Sequence, residues 1–541
     1  MRFSRTRIAF VLSAAVLAAS CKGLSPRQSS LPAPMHYTPA RDGLPSGKIW
    51  KSHIGFGDVN GDGFADISAV SRLADGPWVW IGDGKGHWTE AKSGLPTESF
   101  CGGGTEFADA NKDGKMDIAI ADHCRGVYVY FGDGAGHWTN ASSGLPTVGA
   151  EDIAVGDFNH DGCSDLAIVA ASEEGVRAFT GNCKGLWKDS SNGLAHTEWG
   201  NGIKMADMNG DGNLDIIAAY SAGPRVWLGD GKGSWREASE GLPAPDIHGL
   251  YWGVDVGDIN GDGRLDIVSG AAVPGVEVFI QDKDGKFHNT VSSQCLAGAN
   301  SGKFCIQDSD CPGSTCVTAL CKGTCSAGAA GKACKKDADC GGATCSPKGI
   351  CSVTAAGKPC LNDKECPGAS CNRGPKADTS CTLGGAPDQC GSDVCSAVNN
   401  THGIPAMNAL GVALGDLNKD GKLDLVIAGK TNLEEIGGVY GVFPLLGDGA
   451  GNWTMVDNTG LPTTGRERTW GVGVADIDKD GVLDIAVAFG DVLAPAWRSG
   501  PKEPQAPKQK GKEGETKAEK RPPERGFFGS IEVWRGELVG K

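Results

Sequence analysis

The residues with the most chemical content are aspartates. Seven times the chain repeats Asp-x-Asn-x-Asp-Gly-x-x-Asp with little change. The copies are Asp58/Asn60/Asp62/Asp66, Asp109/Asn111/Asp113/Asp117, Asp157/Asn159/Asp161/Asp165 and Asp207/Asn209/Asp211/Asp215, followed by Asp258/Asn260/Asp262/Asp266, Asp416/Asn418/Asp420/Asp424 and Asp476/Asp478/Asp480/Asp484. Oxygen side chains at positions 1, 3 and 5 of a tight loop converge on one point. Position 7 can add its backbone carbonyl, and the Asp at position 9 closes the shell. Such a set suits calcium, a hard cation that takes about six to eight oxygens. The glycine at position 6 (Gly63, Gly114, Gly162, Gly212, Gly263, Gly421, Gly481) permits the sharp turn. Magnesium prefers a smaller octahedral site that keeps several waters. No histidine or cysteine stands at a ligand position, which argues against zinc or copper. One copy alone would pass for an acidic turn, but seven with the same ligand order predict one Ca²⁺ per loop, about seven in all.

The loops must be held by β-structure. Short apolar runs follow them, such as Ile67-Ser68-Ala69-Val70, Ile118-Ala119-Ile120 and Leu166-Ala167-Ile168-Val169, and these read as buried strands. Successive loops start 51, 48, 50, 51, 158 and 60 residues apart. A period near 50 suits a four-stranded propeller blade. A second element keeps step: Gly82-Asp83-Gly84, Trp88 and Gly94-Leu95-Pro96 return as Gly132-Asp133-Gly134, Trp138 and Gly144-Leu145-Pro146, and again around Trp235 and Trp453. The Asp-Gly step between strands is a hairpin signal. Each unit is therefore strand A, acidic loop, strand B, strand C, hairpin, strand D and a Gly-Leu-Pro turn. The seventh unit ends after its strand C, Ile531–Trp534. Residues 37–45 align with Trp88–Pro96, which predicts that an N-terminal strand completes the last blade and removes two free sheet edges. The expected fold is all-β, a seven-bladed β-propeller.

These motifs resemble FG-GAP (VCBS) repeats, the type found in the calcium-binding propeller of integrin alpha subunits. The resemblance covers about residues 36–293 and 402–541 and is carried by the acidic loops. The Phe-Gly element itself appears only as Phe56-Gly57, and Asp478 stands where the other loops carry Asn.

The ends and insertions speak of compartment. Arg2, Arg5 and Arg7 precede an apolar run from Ile8 to Ala19, too short to span a bilayer, so residues 1–20 read as a signal peptide. Leu17-Ala18-Ala19-Ser20-Cys21 resembles a bacterial lipoprotein box, which implies lipidation of Cys21, with ordinary cleavage as the alternative. Lys22 after it implies outer-membrane sorting, and residues 21–35 then form a flexible tether. Of the 21 cysteines, 16 fall between Cys295 and Cys395, so residues 294–401 read as a disulfide-held insertion in an oxidising compartment. A zinc cluster there is disfavoured by the absence of paired C-x2-C and His ligands. Cys101 and Cys124 fall at one rim of blade 2, and Cys163 and Cys183 at the opposite rim of blade 3, which predicts those two pairs. Residues 500–525, rich in Lys, Glu and Pro, read as a disordered loop. The net charge of −15 is mostly loop chemistry, since the seven loops hold 22 of the 66 carboxylates. No basic groove interleaved with aromatics points to nucleic acid.

Function is expected on the face opposite the acidic loops, because all the long insertions fall there. The segments entering the inner strands carry Trp50, Phe100, Trp199, Tyr251, Trp252 and Trp470, with His53, Glu106, Glu151, Glu198, His248, Arg466 and Arg468 as polar companions. This set could form a funnel for a glycan or peptide, or could simply pack the blades. The expected function is a monomeric, non-catalytic, calcium-stabilised binding or adhesion protein of the bacterial cell envelope. Its ligand would be a protein or glycan, and it would meet the membrane only through its lipid anchor. A polysaccharide lyase or hydrolase on the same scaffold is the alternative, with Glu151, Glu198 and His248 as its acid–base candidates; no nucleophile motif supports it.

Overall fold

In the computed structural model, residues 35–289 and 404–539 are described apart from short stretches at 171–174, 195–198, 221–222, 244–250, 272–274, 405–406, 431–439, 467 and 492–527; between 290 and 403 only a few short strands are described. All regular structure among the described residues is β-strand. It forms seven antiparallel sheets of the predicted kind, arranged as a seven-bladed propeller. Blade 3 is representative: Ala150–Gly156, Asp165–Ala170, Val176–Gly181 and Trp187–Asp189 pair in chain order from the axis outward.

The ring closes as expected. Met35–Pro39 pairs antiparallel with Phe528–Leu538, from Met35 opposite Leu538 to Pro39 opposite Trp534. Tyr37 takes the place held by Phe287 in blade 5 and by a tryptophan in the remaining blades, and both Met35 and Tyr37 are fully buried. The disulfides Cys101–Cys124 and Cys163–Cys183 are formed, with Cα atoms 5.5 and 5.2 Å apart. The first ties the D–A entry of blade 2 to its B–C turn, and the second ties an acidic loop to a C–D hairpin. The two bonds thus mark which turns share which face.

One clamp joins the outer strands of successive blades. The indole N–H of Trp88 donates to Ala40 O at 2.8 Å, Trp138 to Ala91 O at 2.8 Å, Trp187 to Ala141 O at 2.8 Å and Trp235 to Ser190 O at 2.9 Å. The Gly-Leu-Pro glycine lies beneath the next tryptophan's carbonyl. A Cβ on Gly94 would stand 2.1 Å from Trp138 O, and φ there is +91°, so only glycine fits the turn. The recurrence of Trp and Gly-Leu-Pro at one repeat position is therefore a packing signal. Between blades the core is a series of apolar layers, for example Ile216, Ala218, Tyr220 and Trp227 of blade 4 against Ala167, Val169 and Ala178 of blade 3.

Candidate functional site: acidic loops and the axial mouth

Each acidic loop folds through two left-handed residues. Position 4 has φ between +59° and +74° and position 6 between +80° and +91° in all seven copies. Glycine tolerates this freely, whereas Lys112, His160, Lys419 and Lys479 hold it as non-glycine residues. The side chains at positions 1, 3 and 5 cap backbone N–H groups. In the first loop Gly63 N donates to Asp58 Oδ2 at 2.8 Å, Asp62 N to Asn60 Oδ1 at 3.0 Å and Phe64 N to Asp62 Oδ1 at 2.8 Å.

The position-5 aspartates lie on the solvent side of the loops. Asp62, Asp113, Asp161, Asp211, Asp262, Asp420 and Asp480 are all exposed at the tips of their loops. Each bends back on its own chain to cap the backbone N–H two residues on. Lys115 N donates to Asp113 Oδ1 at 2.9 Å, Cys163 N to Asp161 Oδ1 at 2.7 Å, Lys422 N to Asp420 Oδ1 at 3.0 Å and Val482 N to Asp480 Oδ1 at 2.7 Å. The physical reason is local: the cap satisfies a turn amide while the rest of the charged group keeps its hydration. The second oxygen faces the position-3 amide, with Asn111 Nδ2 3.3 Å from Asp113 Oδ2, Asn159 Nδ2 3.0 Å from Asp161 Oδ2 and Asn418 Nδ2 3.3 Å from Asp420 Oδ2. Positions 1, 3 and 5 thus cap the loop's own backbone, and the charges at positions 5 and 1 both stand near enough to the position-9 carboxyl to raise it, as Asp62 and Asp58 do for Asp66.

The Asp at position 9 has a second task that its place in the motif did not reveal. Asp66 Oδ2 accepts from Val59 N at 2.7 Å, and its Oδ1 accepts from Gly82 N at 2.8 Å, at the end of strand C. The same pair of bonds recurs at Asp117, Asp165, Asp215, Asp266, Asp424 and Asp484. This residue staples the loop to strand C. Burial pushes its carboxyl up to about 7 in Asp66, Asp165 and Asp484, and to about 6 in Asp117, Asp215, Asp266 and Asp424.

The donor set fits a hard cation. Asp476, Asp478 and Asp484 each bring a carboxylate oxygen within 4.8 Å of the others, and the exposed Asp480 stands outside this group. Asp58 Oδ1 and Asp476 Oδ1 are buried with no hydrogen-bond donor. A buried anionic oxygen without a partner is costly unless a cation meets it. Asp478 also pairs with Arg535, and Asp262 with Arg264, so two loops carry their own cationic side chain beside the ligand cluster.

The opposite face is built by β-bulges. In five inner strands the pairing skips one residue at the same repeat position: Glu151, Asn201, Trp252, Leu410 and Trp470. A bulge re-aims the extra side chain. Here the extra residues of blades 3, 5 and 7 reach other blades. Trp252 and Trp470 sit on blades 5 and 7, yet their rings meet edge to face at 5.4 Å. Arg468 stacks over Trp470 at 4.3 Å, and Lys51 Nζ lies 5.6 Å from the same ring.

Glu151 is the hub of this mouth. Lys51 Nζ of blade 1 meets its Oε2 at 2.5 Å, His123 Nδ1 of blade 2 meets Oε1, and Trp199 Nε1 entering blade 4 donates to Oε1 at 3.1 Å. Burial works against the charge on Glu151, but Lys51 and His123 outweigh it and hold the carboxyl below its usual range. Trp199 stacks on His123 with ring centroids 5.4 Å apart and remains 43% exposed.

The aromatic residues named from sequence therefore divide. Trp50, Phe100 and Tyr251 are fully buried in the blade cores, where their rings add apolar contact and present no surface to a ligand. Trp470 is 8% exposed, Trp252 is half-buried, and Trp199 is open. Glu198, His248 and Cys21 lie outside the described residues. Lys51 and His123 escaped the sequence reading. Each belongs to a different repeat from Glu151, and only the ring brings the three together.

Beneath the mouth lies an axial cavity of about 350 Å³ lined by all seven inner strands. Its polar side chains fasten neighbouring blades. Glu106 Oε2 accepts from Val155 N at 2.9 Å, Asp152 Oδ2 from Ile203 N at 3.0 Å and Asp255 Oδ2 from Leu414 N at 2.8 Å. His53 Nδ1 also lies 2.6 Å from Asp152 Oδ2. Burial raises Glu106 to about 7, outweighing the attraction of Lys204. The stability contributed by its protonated form is present at low pH and is lost as pH rises through about 7. Glu106→Gln keeps an acceptor for Val155 N without the charge. Its melting temperature is expected to match wild type near about pH 5 and to exceed it near about pH 8, by an amount equivalent to about 1–3 kcal/mol. Equal curves at both pH values would refute this account of Glu106.

The fold and loops define a class: a seven-bladed β-propeller with an Asp-rich loop in every blade. Residues 58–120, 109–168 and 207–269 match the FG-GAP-like repeat, and these stretches of the chain are FG-GAP-like repeats. No curated protein matches the sequence. Among solved structures, the chain is similar to an Agrocybe aegerita lectin described as recognising non-reducing terminal N-acetylglucosamine. That match has 18% identity and a TM-score of 0.29, and covers 47% of this chain and 71% of the lectin. It is also similar to the V. cholerae biofilm matrix protein Bap1, at 13% identity and a TM-score of 0.40, over 84% of this chain and 88% of that one. Both likenesses are loose, and the propeller stands on the sheet topology above.

Proposed function

We propose that this protein is a calcium-stabilised, non-catalytic binding protein of the bacterial cell envelope, and that its ligand docks at the axial mouth around Trp199. One observation carries the reading. Trp199 is the one exposed large aromatic among the described residues, and its ring is fixed from behind by Glu151 and His123. An aromatic face held open in one orientation loses little entropy on binding and suits the apolar face of a sugar ring or a flat peptide group. The ionised state of Glu151 supports binding over acid–base chemistry, because its carboxylate is committed to Lys51, His123 and Trp199. The acidic loops hold Ca²⁺ with the side chains of positions 1, 3, 5 and 9 and the backbone carbonyl of position 7. Cys21 carries a lipid that tethers the protein to the outer membrane. The two disulfides support an exported, oxidising location.

The test is binding of wild type and Trp199→Ala to a glycan array and to envelope polysaccharide fractions, with calcium present. Affinity is expected to fall at least about tenfold in the variant, a loss of about 1.4 kcal/mol, with an unchanged melting temperature. Release of new reducing ends or unsaturated sugars from those fractions would replace this reading with an enzyme. Undiminished binding by the variant would move the site elsewhere.

A further inference from the structure

Three of the seven acidic loops share a chemical weakness. Positions 3 and 4 read Asn60-Gly61, Asn209-Gly210 and Asn260-Gly261, whereas Lys112, His160, Lys419 or Lys479 stands at position 4 of the others. Those four side chains reach the loop of the next blade. Lys112, Lys419 and Lys479 lie over the position-6 glycines Gly162, Gly481 and Gly63, where an added Cβ would come 2.2, 2.6 and 2.0 Å from Nζ. His160 Nε2 meets Asn213 Oδ1 at 2.9 Å. The loop of blade 5 neither sends nor receives such a contact: position 4 is Gly261, and nothing lies within 4 Å of a Cβ built on Gly263.

Asparagine before glycine is the pair most open to self-cleavage of its side-chain amide, because glycine leaves its own nitrogen unhindered. The glycine nitrogen attacks Cγ, the carboxamide nitrogen leaves as ammonia, and a cyclic imide forms. Water then opens the imide to Asp or to its isomer, whose backbone runs through the β-carbon. In the folded loop this attack is held off. The Asn Oδ1 accepts from the backbone N–H two residues on, at 3.0 Å from Asp62, 2.9 Å from Asp211 and 3.0 Å from Asp262. The Asn Nδ2 donates to the same aspartates at 2.8, 3.0 and 2.9 Å. Gly210 N is itself engaged by Asp207 Oδ1 at 2.8 Å. The loop must open before the nitrogen can reach Cγ.

We propose that Asn60, Asn209 and Asn260 are sites of spontaneous deamidation gated by calcium, with Asn260 the fastest. The inference rests on the reading of these loops as calcium sites. Bound calcium ties positions 1, 3, 5 and 9 to one point and keeps the loop closed. The open fraction then falls as the site fills, and the rate is divided by 1 + [Ca²⁺]/Kd. Conversion to Asp gives these loops the extra carboxylate that Asp478 already supplies in blade 7, while conversion to the isomer lengthens the backbone and displaces a ligand.

The experiment incubates the full mature chain at mildly alkaline pH with calcium or with chelator. Peptide mass spectrometry follows each loop over time, and metal content is measured on the same samples. Conversion is expected at Asn60, Asn209 and Asn260 in chelator, and about tenfold slower or more at calcium ten times the Kd. Asn111, Asn159 and Asn418, at the same ligand position but before Lys or His, remain amides and serve as internal controls. Equal rates in both arms while calcium is bound would overturn the gating. Equal rates with no calcium bound would instead overturn the calcium reading itself. No conversion in chelator would overturn the proposal outright.

Discussion

Chelating calcium is expected to abolish the cooperative melting transition or lower it by tens of degrees. A site that binds only the folded state contributes about 2.7 kcal/mol at a ligand concentration 100 times its Kd. Summed over the loops, this exceeds the whole stability of an ordinary domain, about 5–15 kcal/mol. Removing the ion also leaves three or four carboxylates close to one another in each loop. The position-9 aspartates add a pH signature. Their folded values near 6 to 7 lie above the ordinary 3.8. Stability from their protonated form is therefore present at low pH and lost as pH rises through that window. The chelated protein should be more stable near about pH 5 than near about pH 8, and added calcium should stabilise most at the higher pH. Calorimetry with and without chelator, with metal counted per chain by mass spectrometry, checks both. An unchanged transition would remove calcium from the account and leave the Asp-rich segments as turns.

Deleting the chain through Pro39 is expected to be nearly as damaging. It strips the outer strand from blade 7 and exposes Trp534, Leu461 and the edge of Phe528–Leu538. It also removes the bond from Tyr37 N to Thr459 O at 2.7 Å, through which blade 6 clasps blade 7. Tyr37→Ala alone should cost about 3–5 kcal/mol, as for other large-to-alanine changes in a core. The deleted protein should expose apolar surface and self-associate through the bare edge, and a peptide of residues 35–45 should restore the melting transition in trans. Denaturant titration of the three forms tests this. A deletion as stable as the parent would mean that the ring does not depend on closure by this strand.

Most of the frame was legible because it is periodic. The loop aspartates, the hairpin Asp-Gly, the tryptophan and the Gly-Leu-Pro turn recur in step, and the alignment of Tyr37 with Trp88 told where the first strand belongs. The pairings Cys101–Cys124 and Cys163–Cys183 followed from which turns share a face. Within the loops, the motif treats positions 1, 5 and 9 as equal carboxylates. The fold separates them, burying Asp117 and Asp424 against strand C while Asp113 and Asp420 stay in solvent. What stayed hidden elsewhere depends on neighbours from other repeats. Glu106, which the sequence places among the companions of the mouth aromatics, and Asp152 and Asp255, which look like surface acids in a strand, each accept an N–H from an adjoining blade. The bulges that carry Glu151, Trp252 and Trp470 break the two-residue alternation on which strand patterns rest, so the direction of these side chains could not be read. Trp50, Phe100 and Tyr251 looked identical in kind to Trp199, and only packing separates them.

The closing strand also fixes the side on which the chain enters the ring. Met35 lies opposite Leu538, close to where Gly536 N donates to Asp484 Oδ1, and thus on the acidic-loop side of blade 7 at its outer edge. The chain thus joins the ring on the acidic-loop face, and the mouth around Trp199 opens on the other.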